Sequence, residues 1–274
     1  MQVIHTLAEL QRHLEPYRRP AVVPTMGSLH AGHLALVERA KSLGDITVAT
    51  IFVNRLQFGP QEDFDAYPRS LEADCEKLRN CGCDMVFAPS ETEFYPQAQT
   101  FRVQPPPDLA DILEGHFRPG FFSGVCTVVL KLLACTRARS AVFGKKDYQQ
   151  WLVIGQMVRQ FALAVDIVGV ETCRDADGLA MSSRNAYLDP RERAQAVELS
   201  ATLGAVATAL RAGASDWEAL QTQAMQRLER SGWRADYVAV RCRDSLDQPQ
   251  TGRALVVLGA ARLGRTRLID NLEV

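Results

Sequence analysis

The sequence predicts an α/β protein, with a doubly wound, Rossmann-like parallel-sheet domain over residues 1–176 and a smaller C-terminal α+β lid domain over residues 177–274. Three observations carry that prediction. Up to Val170, short runs rich in Val, Ile and Ala alternate with longer amphipathic stretches, as buried parallel strands do when helices cover both faces of their sheet. Beyond Val170 the alternation stops at the turn cluster Asp175-Ala176-Asp177-Gly178. The 274 residues also suit one large domain joined to a smaller one.

In chain order, Ala21–Val23 is a predicted strand, Leu34–Leu43 a helix, Ile46–Val53 a strand, Arg69–Cys81 a helix and Asp84–Ala88 a strand. A long helix follows at Ser123–Arg137, then the strand Ser140–Phe143, the helix Tyr148–Ala162 and the strand Val165–Val170. In such a sheet, ligands bind at the carboxyl ends of the strands. The second domain is predicted to hold the helices Pro190–Ala212, N-capped by Asp189, and Asp216–Ser231. The strands Asp236–Val240, Ala254–Leu258 and Thr266–Ile269 complete it. Pro105-Pro106-Pro107 is a stiff local connector.

Composition narrows the class of partner. A formal net charge of −1, with 23% charged residues, lacks the basic excess of a nucleic-acid binder. No apolar run is long enough to span a bilayer, and the first residues lack the layout of a secretory signal. The seven cysteines contain no Cys-x-x-Cys pair; reduced thiols in a cytoplasmic protein account for them better than a disulfide framework or a zinc site.

Three segments carry chemistry. In Pro24-Thr25-Met26-Gly27-Ser28-Leu29-His30-Ala31-Gly32-His33 a strand ends, the chain turns, and His30 and His33 open a helix on one shared face. A helix N-terminus offers N–H donors and partial positive charge to an anion, and glycines allow close backbone approach. Two imidazole donors there would stabilise charge on a phosphate. A metal pair and two capping histidines are alternative readings of the same spacing. The second segment, Gly144-Lys145-Lys146-Asp147-Tyr148-Gln149-Gln150, sets lysines at a strand's carboxyl end, which suits a phosphate and equally an exposed basic turn. The third, Asp177-Gly178-Leu179-Ala180-Met181-Ser182-Ser183-Arg184-Asn185, reads as a mobile polyphosphate clamp or a solvated linker. Asn54 and Gln57 lie just past a strand, where amides can hydrogen-bond a hydroxyl or carboxylate; Glu114–Gly120 is predicted to be a loop before a helix, with one acid and one base that can pair or bind a ligand, and either feature also reads as structural.

Seven stretches in order, at residues 24–33, 52–59, 65–70, 124–133, 143–150, 177–185 and 260–271, together resemble the pantoate–β-alanine ligases, a family of His-x-Gly-His nucleotidylyltransferases. The resemblance spans essentially the whole chain. It implies ATP-dependent condensation of pantoate with β-alanine through a pantoyl-adenylate, with release of pyrophosphate and AMP, Mg²⁺ on the ATP phosphates, and a homodimer. It assigns Met26, Gly27, Ser28, Leu29, His30, Ala31, Gly32 and His33 to the ATP site, together with Gly144, Lys145, Lys146, Asp147, Cys173, Met181, Ser182, Ser183 and Arg184. His33 matches the proton donor, His30 a phosphate contact, and Lys146, Ser182, Ser183 and Arg184 the groups that neutralise the phosphates. Gln57 and Gln150 match the glutamines that hold pantoate, with Asn54 beside them. The chain departs from the family pattern at three positions. Arg55 stands where proline is usual, Phe121 where histidine is, and Lys145 where glutamate is. From these, the placement of Gln57 is expected to loosen, the active-site loop to lose a polar group, and the charge beside Lys146 to reverse.

Overall fold

The structure, a computed structural model, describes residues 1–59, 62, 64–65 and 67–274; Ala66, within the stretch 65–70 of the resemblance, lies outside the described residues. The chain forms two compact units, one of residues Met1–Lys145 with Val153–Glu171, the other of Lys146–Leu152 with Thr172–Val274.

The first unit is built on a six-stranded, wholly parallel sheet of β1 (Gln2–Ile4), β2 (Pro20–Thr25), β3 (Ile46–Ile51), β4 (Met85–Phe87), β5 (Ser140–Gly144) and β6 (Asp166–Val170). Its order is β1-β4-β3-β2-β5-β6. The chain winds outward from β2 through β3 and β4, then returns to β2's other side with β5 and β6, so the switch point lies between β2 and β5. In open α/β sheets ligands bind beyond the carboxyl ends of the strands at such a point. The helices are α1 (Leu7–Leu14), α2 (Ala31–Lys41), α3 (Leu71–Asn80), the short α4 (Glu91–Phe94), α5 (Pro107–Ala110) and α6 (Glu114–Phe117), α7 (Phe121–Cys135) and α8 (Tyr148–Gln160). The first turns of α8, through Leu152, belong to the second unit.

Side chains alternate between the faces of a strand. Ala21, Val23, Ala49 and Val86 form one core with Leu36, Val37 and Ala40 of α2 and Cys75 and Leu78 of α3. The intervening Val22 and Val48 point the other way and are also fully buried, and α7 packs against β2 and α1. Burial on both faces explains why these strands are continuous apolar runs.

The second unit holds α9 (Pro190–Gln195), α10 (Val197–Arg211), α11 (Trp217–Arg230) and an antiparallel sheet of β7 (Arg234–Cys242), β8 (Leu255–Leu263) and β9 (Thr266–Glu273), in that order. Leu199, Leu203, Val206 and Leu210 of α10 share a core with Leu228, Trp233, Val240, Val257 and Leu268. A Cβ at Gly259 would lie 2.9 Å from Leu203, so glycine there lets α10 sit close on the sheet.

The α/β architecture with a small α+β unit is as the sequence predicts. Four local expectations change. The strand β1 and helix α1 were not foreseen, since β1 is three residues with one buried side chain. The helix expected over Pro190–Ala212 is interrupted at Ala196, which keeps right-handed backbone angles (φ −60, ψ −22). Glu114–Gly120 is not a plain loop: Arg118 N–H bonds Glu114 O and closes a helical turn. The strands of the second unit extend past their apolar cores to include Arg234, Arg241, Asp270 and Asn271.

Candidate active site

The turn after β2 is held from inside the protein. Gly27 and Ser28 both have positive φ, +83 and +52, a conformation that strains a non-glycine residue. Asp74, on α3 and fully buried, accepts from the N–H groups of Ser28 and Leu29, each at 2.8 Å, and from the Ser70 hydroxyl at 3.2 Å. Lys77, one turn along, donates to Leu29 O at 2.7 Å. Thr25 Oγ1 accepts from Gly27 N–H. A Cβ at Gly27 would meet Asp74 Oδ2 at 3.1 Å and Ile51 at 3.2 Å. The glycine therefore serves the turn's own packing, and the N–H groups of Gly27, Ser28 and Leu29 are bonded within the protein.

The two histidines cap the helix that follows the turn. His30 is the N-cap of α2 and its Nδ1 accepts from Gly32 N–H at 3.2 Å; His33 Nδ1 accepts from His30 N–H at 3.3 Å. Both Nδ1 atoms are thus acceptors, which puts the proton of each neutral ring on Nε2. The rings lie 4.1 Å apart, centroid to centroid. Capping, one of the readings open in the sequence, uses the Nδ1 atoms of both rings. Met26 adjoins Gln57: Gln57 Nε2 lies 3.0 Å from Met26 Sδ.

After β3, Arg55–Gln57 forms a 3-10 turn capped by Asn54. Asn54 is 1% exposed and donates to Gln57 Oε1 at 3.1 Å. Arg118 donates to Gln57 O at 3.2 Å while forming a two-point ion pair with Glu62 at 2.6 and 2.7 Å. Gly144 ends β5, the strand next to β2, and Lys145 follows it, so both segments leave the sheet at the switch point.

The other predicted residues belong to the second unit. Lys146 O accepts from Asn271 Nδ2 at 2.8 Å. Tyr148 donates its hydroxyl within reach of Arg243 O and Glu273 Oε1, anchoring the turn that carries Asp147 and Gln150. Cys173 O accepts from Met181 N–H at 2.9 Å, and Arg174 bridges to Ala180, so Cys173 and the segment Met181–Arg184 are neighbours. Ser182 caps the 3-10 turn Ser183–Tyr187 through Arg184 N–H. Arg174 makes a bidentate pair with Asp270, whose side chain is 3% exposed. The structure thus gathers the candidates into two sets, one in each unit.

Sequence reasoning missed Asp74, Arg118, Asp270 and Asn271. Asp74 and Arg118 lie 46 and 61 residues from the groups they hold, and no local spacing announces such a bond. The last two fall in the matching stretch 260–271, which offered an order of residues but no role.

Each departure from the family pattern acquires a partner. Arg55 lies 3.9 Å from the centre of the Phe64 ring and 3.5 Å from Glu91, and the turn carrying Gln57 is closed by the bonds from Gln57 N–H to Asn54 O and from Phe58 N–H to Arg55 O. Phe121 presents its ring 3.6 Å beneath the Arg118 guanidinium, so the lost polar group is replaced by a cation–π platform for the arginine that holds Gln57. Lys145 pairs with Glu171 at 2.5 Å, which offsets its added charge.

A parallel sheet with paired imidazole donors at its switch point, plus lysine, serine and arginine candidates for phosphate, defines a nucleotide-using α/β enzyme. The family described as pantoate-beta-alanine ligase matches residues 2–273. The chain belongs to that family. It is 58% identical to a pantothenate synthetase of Paracidovorax citrulli and 57% identical to one of Leptothrix cholodnii, each covered in full along with this chain. The crystal structure of a pantothenate synthetase from Thermus thermophilus superposes with a TM-score of 0.95 at 43% identity, covering 100% of this chain and 99% of the other. A pantoate-beta-alanine ligase from Francisella tularensis, complexed with beta-gamma ATP and beta-alanine, gives 0.81 at 32% identity, covering 100% and 97%. The protein is accordingly an ATP-using ligase that joins pantoate to β-alanine. No helix among the described residues is long and apolar enough to cross a membrane.

Proposed function

We propose that this ligase reaction runs on the residues gathered above, with the Nε2–H groups of His30 and His33 as the donors that meet the phosphates. The observation that carries this is the fixed tautomer of the pair: both Nδ1 atoms are occupied by backbone N–H groups, at the carboxyl end of the strand next to the switch point. The pantoate carboxylate attacks the α-phosphorus of ATP, and the bond to pyrophosphate breaks. The β-alanine amine then attacks the acyl carbon, AMP leaves, and the amine loses a proton. Preorganised donors stabilise the charge that grows on the phosphoryl oxygens.

In this proposal His33 donates the proton and His30 a second phosphate contact, while Lys146, Ser182, Ser183 and Arg184 balance the pyrophosphate's charge. Met26 to Gly32, Gly144, Lys145, Asp147, Cys173 and Met181 line the nucleotide. Gln57 and Gln150 hold pantoate, and Asn54 orients Gln57. Residues 177–274 serve as the lid domain. Among the described residues no three His, Cys, Asp or Glu side chains gather as a metal site. Mg²⁺, which the family resemblance implies, would be held by the nucleotide's phosphates and water and would neutralise charge there. The family resemblance supports a homodimer, checked by light scattering. Free cysteines throughout support a cytoplasmic location.

In His33→Ala, pantoate-dependent ATP–pyrophosphate exchange should fall about 100-fold or more with the thermal transition retained. A rate equal to the parent's would remove His33 from the chemistry. Pyrophosphate should also appear from ATP and pantoate without β-alanine, and its absence at saturation would rule out the adenylate route.

A further inference from the structure

Tyr95 lies in none of the segments assigned to nucleotide or substrate, yet its phenol ends in the turn that carries Gln57. Its hydroxyl donates to Asn54 Oδ1 at 3.1 Å. The Tyr95 hydroxyl and two longer bonds to backbone groups together set the orientation of the Asn54 amide. Leu56 N–H faces Oδ1 at 3.4 Å, and Gly124 O faces Nδ2 at 3.3 Å. With the amide so turned, Nδ2 donates to Gln57 Oε1. Gln57 Oε1 is therefore the acceptor end, and Nε2, which sits against Met26 Sδ, is the donor end. A thioether is a weak acceptor, and a carboxylate or hydroxyl oxygen competes with it readily.

Packing makes the arrangement rigid. The Tyr95 ring meets Phe52 at 5.7 Å and Phe94 at 5.1 Å, both edge to face, with the Lys131 ammonium 4.8 Å from its centre. Lys131 also donates to Phe94 O. Gly124 brings α7 directly onto the turn, since a Cβ there would lie 2.0 Å from Leu56 O and 2.8 Å from Gln57 N. Burial raises the Tyr95 pKa above its usual value, so the hydroxyl stays protonated and remains a donor across any working pH.

We propose that Tyr95 is a positioning residue for pantoate: through Asn54 it fixes the Gln57 amide with its N–H₂ end toward an acceptor oxygen of the substrate. The inference rests on the assignment of Gln57 to pantoate made above. Removing the phenol leaves Asn54 Oδ1 with one long backbone bond. Both amides then gain freedom to rotate, and part of the population presents Gln57 Oε1 to the substrate's oxygens.

Tyr95→Phe keeps the ring contacts and deletes only the hydroxyl. Its KM for pantoate should rise about fivefold, with the KM for ATP within about twofold of the parent. Calorimetric pantoate affinity in a double-mutant cycle then isolates the route: in a Gln57→Ala background, Tyr95→Phe should add no further loss. An unchanged pantoate KM in Tyr95→Phe, or an equal loss with and without Gln57, overturns the relay. So does a fall in thermal stability with all three substrate KM values rising together, which marks a purely structural residue. If Gln57→Ala itself binds pantoate like the parent, it is the substrate assignment of Gln57 that fails, and the relay with it.

Discussion

Two turns in this chain carry candidate phosphate-binding residues, and they are held in opposite ways. The turn Met26–Leu29 is fastened by a carboxylate with no solvent exposure, Asp74, which accepts two backbone N–H groups at 2.8 Å. The turn Asp175–Gly178, which leads into Met181–Arg184, is fastened by Arg193 to Asp175 at 3.0 Å and to Asp177 at 2.7 Å. There the arginine side chain is 33% exposed and those of the aspartates 35% and 46%. A buried charged acceptor leaves its donors stranded when removed, whereas exposed ion pairs are screened by water and salt. The first turn is thus held firmly from inside and the second by pairs that water screens.

The comparison breaks most sharply at Asp74. In Asp74→Ala the N–H groups of Ser28 and Leu29 lose their acceptor, and we expect a loss of about 3 kcal/mol in urea denaturation. ATP–pyrophosphate exchange should fall with it, because α2 and its histidines follow directly from the turn. A variant with parental stability would show that the turn holds itself. Gly27→Ala comes next: its φ of +83 and the 3.1 Å approach to Asp74 Oδ2 predict a loss of about 1–2 kcal/mol, read from the same denaturation curve.

Arg193→Ala should be the smallest effect, with a thermal midpoint close to the parent's in 0.5 M salt, a concentration that screens exposed pairs strongly (on the order of a 4 Å Debye length). An unfolding shift as large as that of Asp74→Ala would erase the distinction between the turns. Its pH signature has a definite sign. The hydrogen bond from Arg193, then that from Leu179 N–H, holds the Asp177 carboxyl below its ordinary value of 3.8. The pair's contribution is therefore full above that pH and is lost as pH falls through the lowered folded value. Arg193→Ala and the parent should converge in strongly acidic buffer, measured by thermal denaturation.

The same contrast bears on what can be read from sequence. The parallel strands are visible because burial on both faces demands continuous apolar residues, as in Ala21-Val22-Val23. His30 and His33 are visible because capping a helix is a local act. Asp74, Arg118 and Tyr95 are not, since each acts on a segment distant in the chain: 46, 61 and 41 residues away. The departures at Arg55, Phe121 and Lys145 likewise look disruptive in sequence because their partners Phe64, Glu91, Arg118 and Glu171 come from other elements. In the fold, Arg55 finds an aromatic face and an acid, Phe121 a guanidinium over its ring, and Lys145 an opposite charge.

The sequence by itself determined the α/β class, the strand–turn–helix around Pro24–His33, and, through seven ordered stretches, the ligase family. These follow from short-range periodicity, turn chemistry and residue identity, which survive without knowing any distance. Only the tertiary structure decided which nitrogen of each histidine carries the proton, which end of the Gln57 amide is the donor, and which acceptors the backbone N–H groups of Gly27, Ser28 and Leu29 meet. Those choices depend on which polar groups arrive from remote segments, and hydrogen-bond direction is settled only when both partners are in place.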